Sequence, residues 1–68
     1  MAKARQVRAA LERDGWRLVR QTGSHRLYRK GEMTAVFAFH DREDIGRPMM
    51  ARIARQFGYT LEELRRMV

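Results

Sequence analysis

Two glycine turns, Thr22-Gly23-Ser24 and Lys30-Gly31-Glu32, cut the middle of this chain into three short runs that alternate in polarity. Trp16 to Gln21 puts Trp16 and Leu18 on one face and Arg17 and Val19 on the other. A second run covers His25 to Arg29, and Met33 to Phe39 gathers Met33, Ala35, Phe37 and Phe39 on one side. Side chains two apart share a face of a strand, and turns this short join antiparallel neighbours, so the pattern predicts a three-stranded antiparallel sheet. Such a sheet cannot leave its apolar face bare. Both flanks offer cover. Residues 3–14 carry Ala4, Val7, Ala10 and Leu11 at helical spacing, with Arg5, Arg8, Glu12 and Arg13 opposite and Gly15 as the stop. After a polar loop from Asp41 to Arg47, Pro48 suits the first position of a helix whose stripe is Met50, Ile53, Ala54 and Phe57, ended by Gly58. Thr60 and Glu63 have capping-box spacing ahead of Leu61, Leu64 and Met67, which predicts a short tail helix. The expected fold is α+β, in the order α-β-β-β-α with a short C-terminal helix. Both longer helices lie on one face of the sheet, over Trp16, Leu18, Leu27 and Phe37. On this reading Trp16, Phe37, Phe57 and the methionines are core, and no cofactor site is read in them.

At 68 residues the chain supports a single domain, 1–68, and a domain this small buries only about 60 % of the surface its unfolded chain exposes. The absence of cysteine removes disulfides and thiolate zinc sites and fits a reducing cytosol. No apolar stretch approaches the roughly 18 residues of a spanning helix, and Met1-Ala2-Lys3-Ala4-Arg5 runs into charged helix rather than a signal sequence, so a soluble cytoplasmic protein without membrane contact is expected. Charge is more informative. The net charge of +7 is confined to residues 1–31, where nine basic side chains face Glu12 and Asp14 alone; residues 32–68 are neutral. Concentrated arginine suits phosphate backbones, because it grips phosphate oxygens and releases condensed counterions. The plainer reading is an arginine-rich solvated surface.

Few side chains remain for chemistry. No His-x-Glu, paired-carboxylate or calcium-loop spacing is present, Asp41, Glu43 and Asp44 being merely crowded, and no glycine-rich loop precedes a lysine; neither a metal nor a nucleotide cofactor is expected. What is left is Gly23-Ser24-His25-Arg26, a turn that delivers a histidine into the basic half. Histidine exchanges a proton near neutral pH, and breaking an RNA backbone needs a base for the 2′-hydroxyl or a water, an acid for the leaving oxygen, and cations around the phosphate. By residue type alone, a histidine beside a turn is more often a polar strand-end residue. His25 shares the parity of Leu27, which directs it to the helix-covered side. Arg17, Arg20, Arg26 and Lys30 lie near the turn in sequence and are candidate phosphate ligands, Arg26 foremost. Arg8, four residues before Glu12, is spaced to pair with it on a helix surface. Ser24 either bonds a phosphate or closes the turn, and Gly23, counted with it among the RNA-binding candidates, serves backbone geometry.

The run Leu11-Glu12-Arg13-Asp14-Gly15-Trp16-Arg17-Leu18-Val19-Arg20-Gln21-Thr22-Gly23-Ser24-His25-Arg26-Leu27-Tyr28 closely resembles the start of the HicA family of mRNA interferase toxins, in which a helix leads into Gly-Trp, a strand and then Gly-Ser-His-Arg. The likeness extends over nearly the whole chain: His40 falls where the family has a histidine closing its third strand, and Ile53, Arg55, Gln56 and Gly58 resemble the end of its second helix. The resemblance implies a fold like the double-stranded RNA-binding domain, metal-independent endoribonuclease activity on mRNA, a HicB-type antitoxin as partner, and a catalytic histidine at His25. The chain departs from the family at Phe37-Ala38-Phe39-His40, where Val-Pro commonly precedes the second histidine, and at Gly46-Arg47-Pro48-Met49, where Pro-Gly-Thr commonly opens the helix. Both departures touch His40 more than His25, and His40 keeps the reading of a strand-end histidine. Two other function classes share these residues: a catalytically silent RNA-binding module of the same fold, and a small basic domain that binds an acidic protein.

Overall fold

The computed structural model describes residues 2–68. In chain order the elements are β1 (Ala2–Lys3), α1 (Ala4–Arg13), β2 (Arg17–Thr22), β3 (His25–Lys30), β4 (Met33–Ala38), β5 (Asp44–Ile45), α2 (Arg47–Phe57) and α3 (Leu61–Met67). The three central strands form one antiparallel sheet in the order β2-β3-β4, covered on one side by helices, as the alternation and the two helical stripes predict. Ala4, Val7, Ala10 and Leu11 of α1 and Met50, Ile53, Ala54 and Phe57 of α2 are all buried. Gly58 ends α2 in the left-handed region at φ 82°, where a side chain would be strained. The predicted capping box starts α3: Thr60 Oγ1 accepts from the Glu63 amide at 3.1 Å, and the Thr60 amide donates to Glu63 Oε1 at 2.8 Å. Among the described residues no helix is long and apolar enough to cross a membrane.

The core is aromatic at its centre. Phe57 packs edge-on against Trp16, with ring centroids 4.8 Å apart, and against Tyr28 at 6.4 Å. Phe37 and Leu64 close it from β4 and α3. Trp16 Nε1 donates to the Tyr59 hydroxyl at 2.9 Å, so its one polar atom is satisfied.

Met33, read with the other methionines as core, is 53 % exposed at the start of β4. Three further features differ from the sequence reading. First, the covered face of β3 carries Tyr28, fully buried, and not Leu27. The Tyr28 ring fills the space against Phe57 while its hydroxyl donates to Glu12 Oε2 at 2.6 Å, a bond leucine cannot make. Second, β2 pairs Leu18 with Tyr28 but Arg20 with Leu27, so Val19 is an extra residue in a bulge. The bulge bends the end of an edge strand, and Leu18 stays 47 % exposed instead of joining the core. Third, the loop expected over Asp41 to Arg47 contains β5, which pairs antiparallel with β1 through Ala2 opposite Ile45 and Lys3 opposite Asp44. Ile45 is buried there, and the Ala4 amide donates to the Glu43 carbonyl at 2.8 Å, tying the start of α1 to the segment before α2.

Candidate nucleic-acid interface

The face of the sheet turned away from the helices follows from the pairing. Cross-strand partners share a face, and Tyr28, on the covered side, lies between Leu27 and Arg29 in sequence; Leu27 and Arg29 therefore face out. With them face their partners and alternates: Arg17 opposite Arg29, Arg20 opposite Leu27, Thr22 opposite His25, and Thr34, Val36 and Ala38 from β4. None of these residues is acidic. Arg17 and Arg29 stand directly opposite each other, like charges whose mutual cost is up to about 1 kcal/mol and which an anion laid across them would relieve. Among the described residues none of Arg17, Arg20 and Arg29 takes part in an ion pair.

His25 opens β3 at the corner of this face. The turn before it needs Gly23 at φ 60°, and a side chain there would meet nothing within 4 Å, so the demand on Gly23 is conformational. Gln21 Nε2 donates to the Gly23 carbonyl at 3.0 Å and braces the turn; Ser24, half-buried, completes it. The imidazole is exposed and shared by two depressions. One, of about 150 Å³, lies on the open face between Arg20, Thr22, Leu27 and Val36. The other, of about 400 Å³, runs over the edge of β4 to α2, between Val36, Ala38, Phe39, Met49, Arg52 and Gln56. His25 thus lies on the open face with Leu27, as its parity requires, but that face is not the helix-covered one expected from sequence.

The structure separates the predicted phosphate ligands. Arg20 borders the same depression as His25, and Arg17 lies on the same face at the far end of β2. Arg26 lies on the covered side. Its guanidinium donates to the Phe39 carbonyl at 3.3 Å and sits 3.6 Å from Asp41, and its side chain is only 14 % exposed. Asp41 is also held by Arg8 through Nε and Nη2, each at 3.2 Å, while Arg8 Nη1 lies 3.3 Å from Glu12 in the predicted helix pair. Partial burial opposes the Arg8 charge, but the bonds to Asp41 and the fields of Asp41 and Glu12 outweigh it and raise its pKa above the ordinary arginine value. Lys30, also on the covered side, bonds Asp14 at 2.9 Å and lies over the Tyr59 ring at 5.9 Å. The Tyr59 hydroxyl, then Lys30, hold the Asp14 carboxyl below its usual pKa. His40 is exposed beyond the end of β4, where its carbonyl accepts from the Glu43 amide at 3.0 Å; it lines neither depression. Among the described residues no group of three or more His, Cys, Asp or Glu side chains is gathered to hold a metal ion.

Gln56 entered the sequence reading only within the likeness to the family's second helix and Arg52 not at all, and neither was a site candidate. Their signal was available: they are four apart on α2, outside its apolar stripe, on the side that meets the end of β4.

A family model for the HicA toxin of bacterial toxin-antitoxin systems matches residues 4–59. The chain belongs to this family. The matched segment of this HicA-family toxin runs from the first residue of α1 to just past α2, and so contains the whole sheet, His25 and both depressions beside it. No curated protein and no solved structure matches the chain. As a HicA-family toxin it is one half of a pair whose other half is an antitoxin.

Proposed function

We propose that this HicA-family toxin is a metal-independent endoribonuclease that cuts mRNA in the cytosol, with His25 as the proton-transferring residue, and that a HicB-type antitoxin restrains it. The observation that carries the reading is the position of His25: exposed, on an arginine-bearing face without a carboxylate, at the meeting point of two depressions. Single-stranded RNA crossing this corner has its phosphate beside both the imidazole and Arg20. The neutral imidazole accepts the proton of the 2′-hydroxyl, and that oxygen attacks the neighbouring phosphorus. The new P–O2′ bond forms as the P–O5′ bond breaks, and the leaving 5′ oxygen takes up a proton. Arg20 offsets the charge that builds on the phosphoryl oxygens, the cationic role that a metal fills elsewhere. Arg17 and Arg29 hold the strand further along the face, and Gly23 and Ser24 fix the turn that presents His25. Arg26 and Lys30 serve the fold through Asp41 and Asp14.

The test is cleavage of a single-stranded transcript in excess EDTA by the purified chain and by His25→Ala. The wild-type chain cuts in chelator; the variant loses about 10²- to 10⁴-fold in rate, the usual contribution of a general base, with its circular dichroism spectrum unchanged because His25 is exposed. Equal rates for both chains would make His25 a strand-end residue. Activity lost in EDTA and restored by magnesium would replace the arginine account with a metal site.

A further inference from the structure

The two depressions beside His25 differ in size and lining, and the difference assigns them different parts of a nucleotide. The open-face one, at about 150 Å³, is the smaller and brings Arg20, Thr22 and His25 together beside Leu27 and Val36, so a phosphate there meets a cation and two further polar groups. The groove between β4 and α2 holds about 400 Å³, within the roughly 300–1,000 Å³ of small-ligand sites. Its floor is apolar, from Val36, Ala38, Phe39 and Met49, and its polar groups are His25 at the end shared with the open face and Arg52 and Gln56 along the α2 wall. A phosphate gains nothing from that floor, whereas a base offers flat apolar faces and a polar edge. The Phe39 ring is held in place by edge-on contact with Phe37 at 5.2 Å, and both wall residues stand on consecutive turns of a helix anchored in the core, so the groove is preformed.

We propose that this groove is the subsite for a purine base next to the bond that is cut, with the Gln56 amide bonding the base edge and the Arg52 guanidinium plane lying along its face. The assignment rests on the reading of the chain as an RNA-acting toxin. A glutamine amide offers one donor and one acceptor side by side, which matches the N6 and N7 edge of adenine, and a guanidinium plane covers more of a two-ring purine face than of a pyrimidine, so both wall residues favour purines. In single-stranded RNA these edges are free, and unstacked bases settle on aromatic rings and guanidinium planes. The phosphate on the same nucleotide then lies toward His25 and Arg20.

The test reads base preference on a chain that cannot cut. Fluorescence anisotropy measures the affinity of the His25→Ala protein for labelled oligo(A) and oligo(U) of equal length, and then of the same protein carrying Gln56→Ala or Arg52→Lys. The parent prefers oligo(A) about fivefold, the low end of discrimination by one bidentate pair. Gln56→Ala abolishes the preference. Arg52→Lys keeps the charge but removes the plane, and lowers the preference while leaving oligo(U) within about twofold. Both residues are exposed, so neither change disturbs the core. Equal binding of the two oligonucleotides by the parent, or a preference that survives both substitutions, overturns the assignment. A wild-type chain that fails to cut RNA while the purine preference holds would remove the ribonuclease reading and leave the subsite standing.

Discussion

The face on which RNA lies can be read from the salt dependence of binding, one cation at a time. Arg17, Arg20 and Arg29 stand on the open face without a carboxylate partner among the described residues, Arg29 Nε donating only to the Gly31 carbonyl at 2.9 Å, whereas Lys30 is paired with Asp14 behind the sheet. From His25 to Arg29 the strand rises about 13 Å, at about 3.3 Å per residue, so a short single strand running along β3 from His25 reaches all three arginines. Each phosphate contact on single-stranded RNA contributes about −0.7 to the slope of log affinity against log salt; three give about −2.1, or a loss of about twentyfold between 50 and 200 mM salt. Arg20→Gln, made in the His25→Ala background to prevent cutting, should bring the slope to about −1.4. Lys30→Gln removes the same formal charge from the chain and should leave the slope at about −2.1. The pair therefore separates contact from overall charge, and fluorescence anisotropy on an unstructured oligonucleotide measures both. A Lys30→Gln chain whose slope flattens as much as that of Arg20→Gln would place RNA on the wrong side of the sheet and refute the face assignment.

Two further predictions concern the scaffold. Phe57 joins Trp16 to Tyr28, and Phe57→Ala should cost about 3–5 kcal/mol, a large part of the roughly 3–10 kcal/mol available to a domain of this length; a thermal melt should drop by at least about 12 °C, and a fall of only a few degrees would show the core closing around the gap. Burial, then the neighbouring Glu12, push the Tyr28 phenol up to about 12, so it supports the fold fully below pH 10, and that support is lost as pH rises through 12; denaturant melts should show stability falling across this window more steeply than in Tyr28→Phe, and identical pH profiles for the two chains would contradict it.

The helices and turns were legible because their signals are local and strong. A four-residue apolar stripe has only one helical face to occupy, and Gly23 and Gly31 both take the left-handed turn geometry that their neighbours suggest. The family match over residues 4–59 agrees with the Gly-Trp and Gly-Ser-His-Arg resemblance for the same reason: both depend on consecutive residues. The β1–β5 pair was hidden because two-residue strands carry no periodicity, and its one large apolar residue, Ile45, lies among Asp44, Gly46 and Arg47.

The face of β3 was the harder problem, and it decides the chemistry. His25, Leu27 and Arg29 form one parity and Arg26, Tyr28 and Lys30 the other, so each offers one apolar residue between two polar ones and alternation alone cannot choose. Hydropathy favours Leu27 for the core, but the space over β3 is bounded by Phe57 and Glu12, and only tyrosine fills the first and bonds the second. Once Tyr28 turns inward, Arg26 and Lys30 must follow it, and their long stems carry the charges out to Asp41 and Asp14 at the edges of the helical layer. The acids are the missing signal. The covered parity brings its cations to carboxylates supplied by the α1–β2 turn and the loop after β4, whereas the open parity has none to meet, and the bulge at Val19 adds Arg20 to that side. The half of the chain that holds all the excess charge is thereby sorted by one aromatic residue into cations that hold the fold and cations left facing outward with His25.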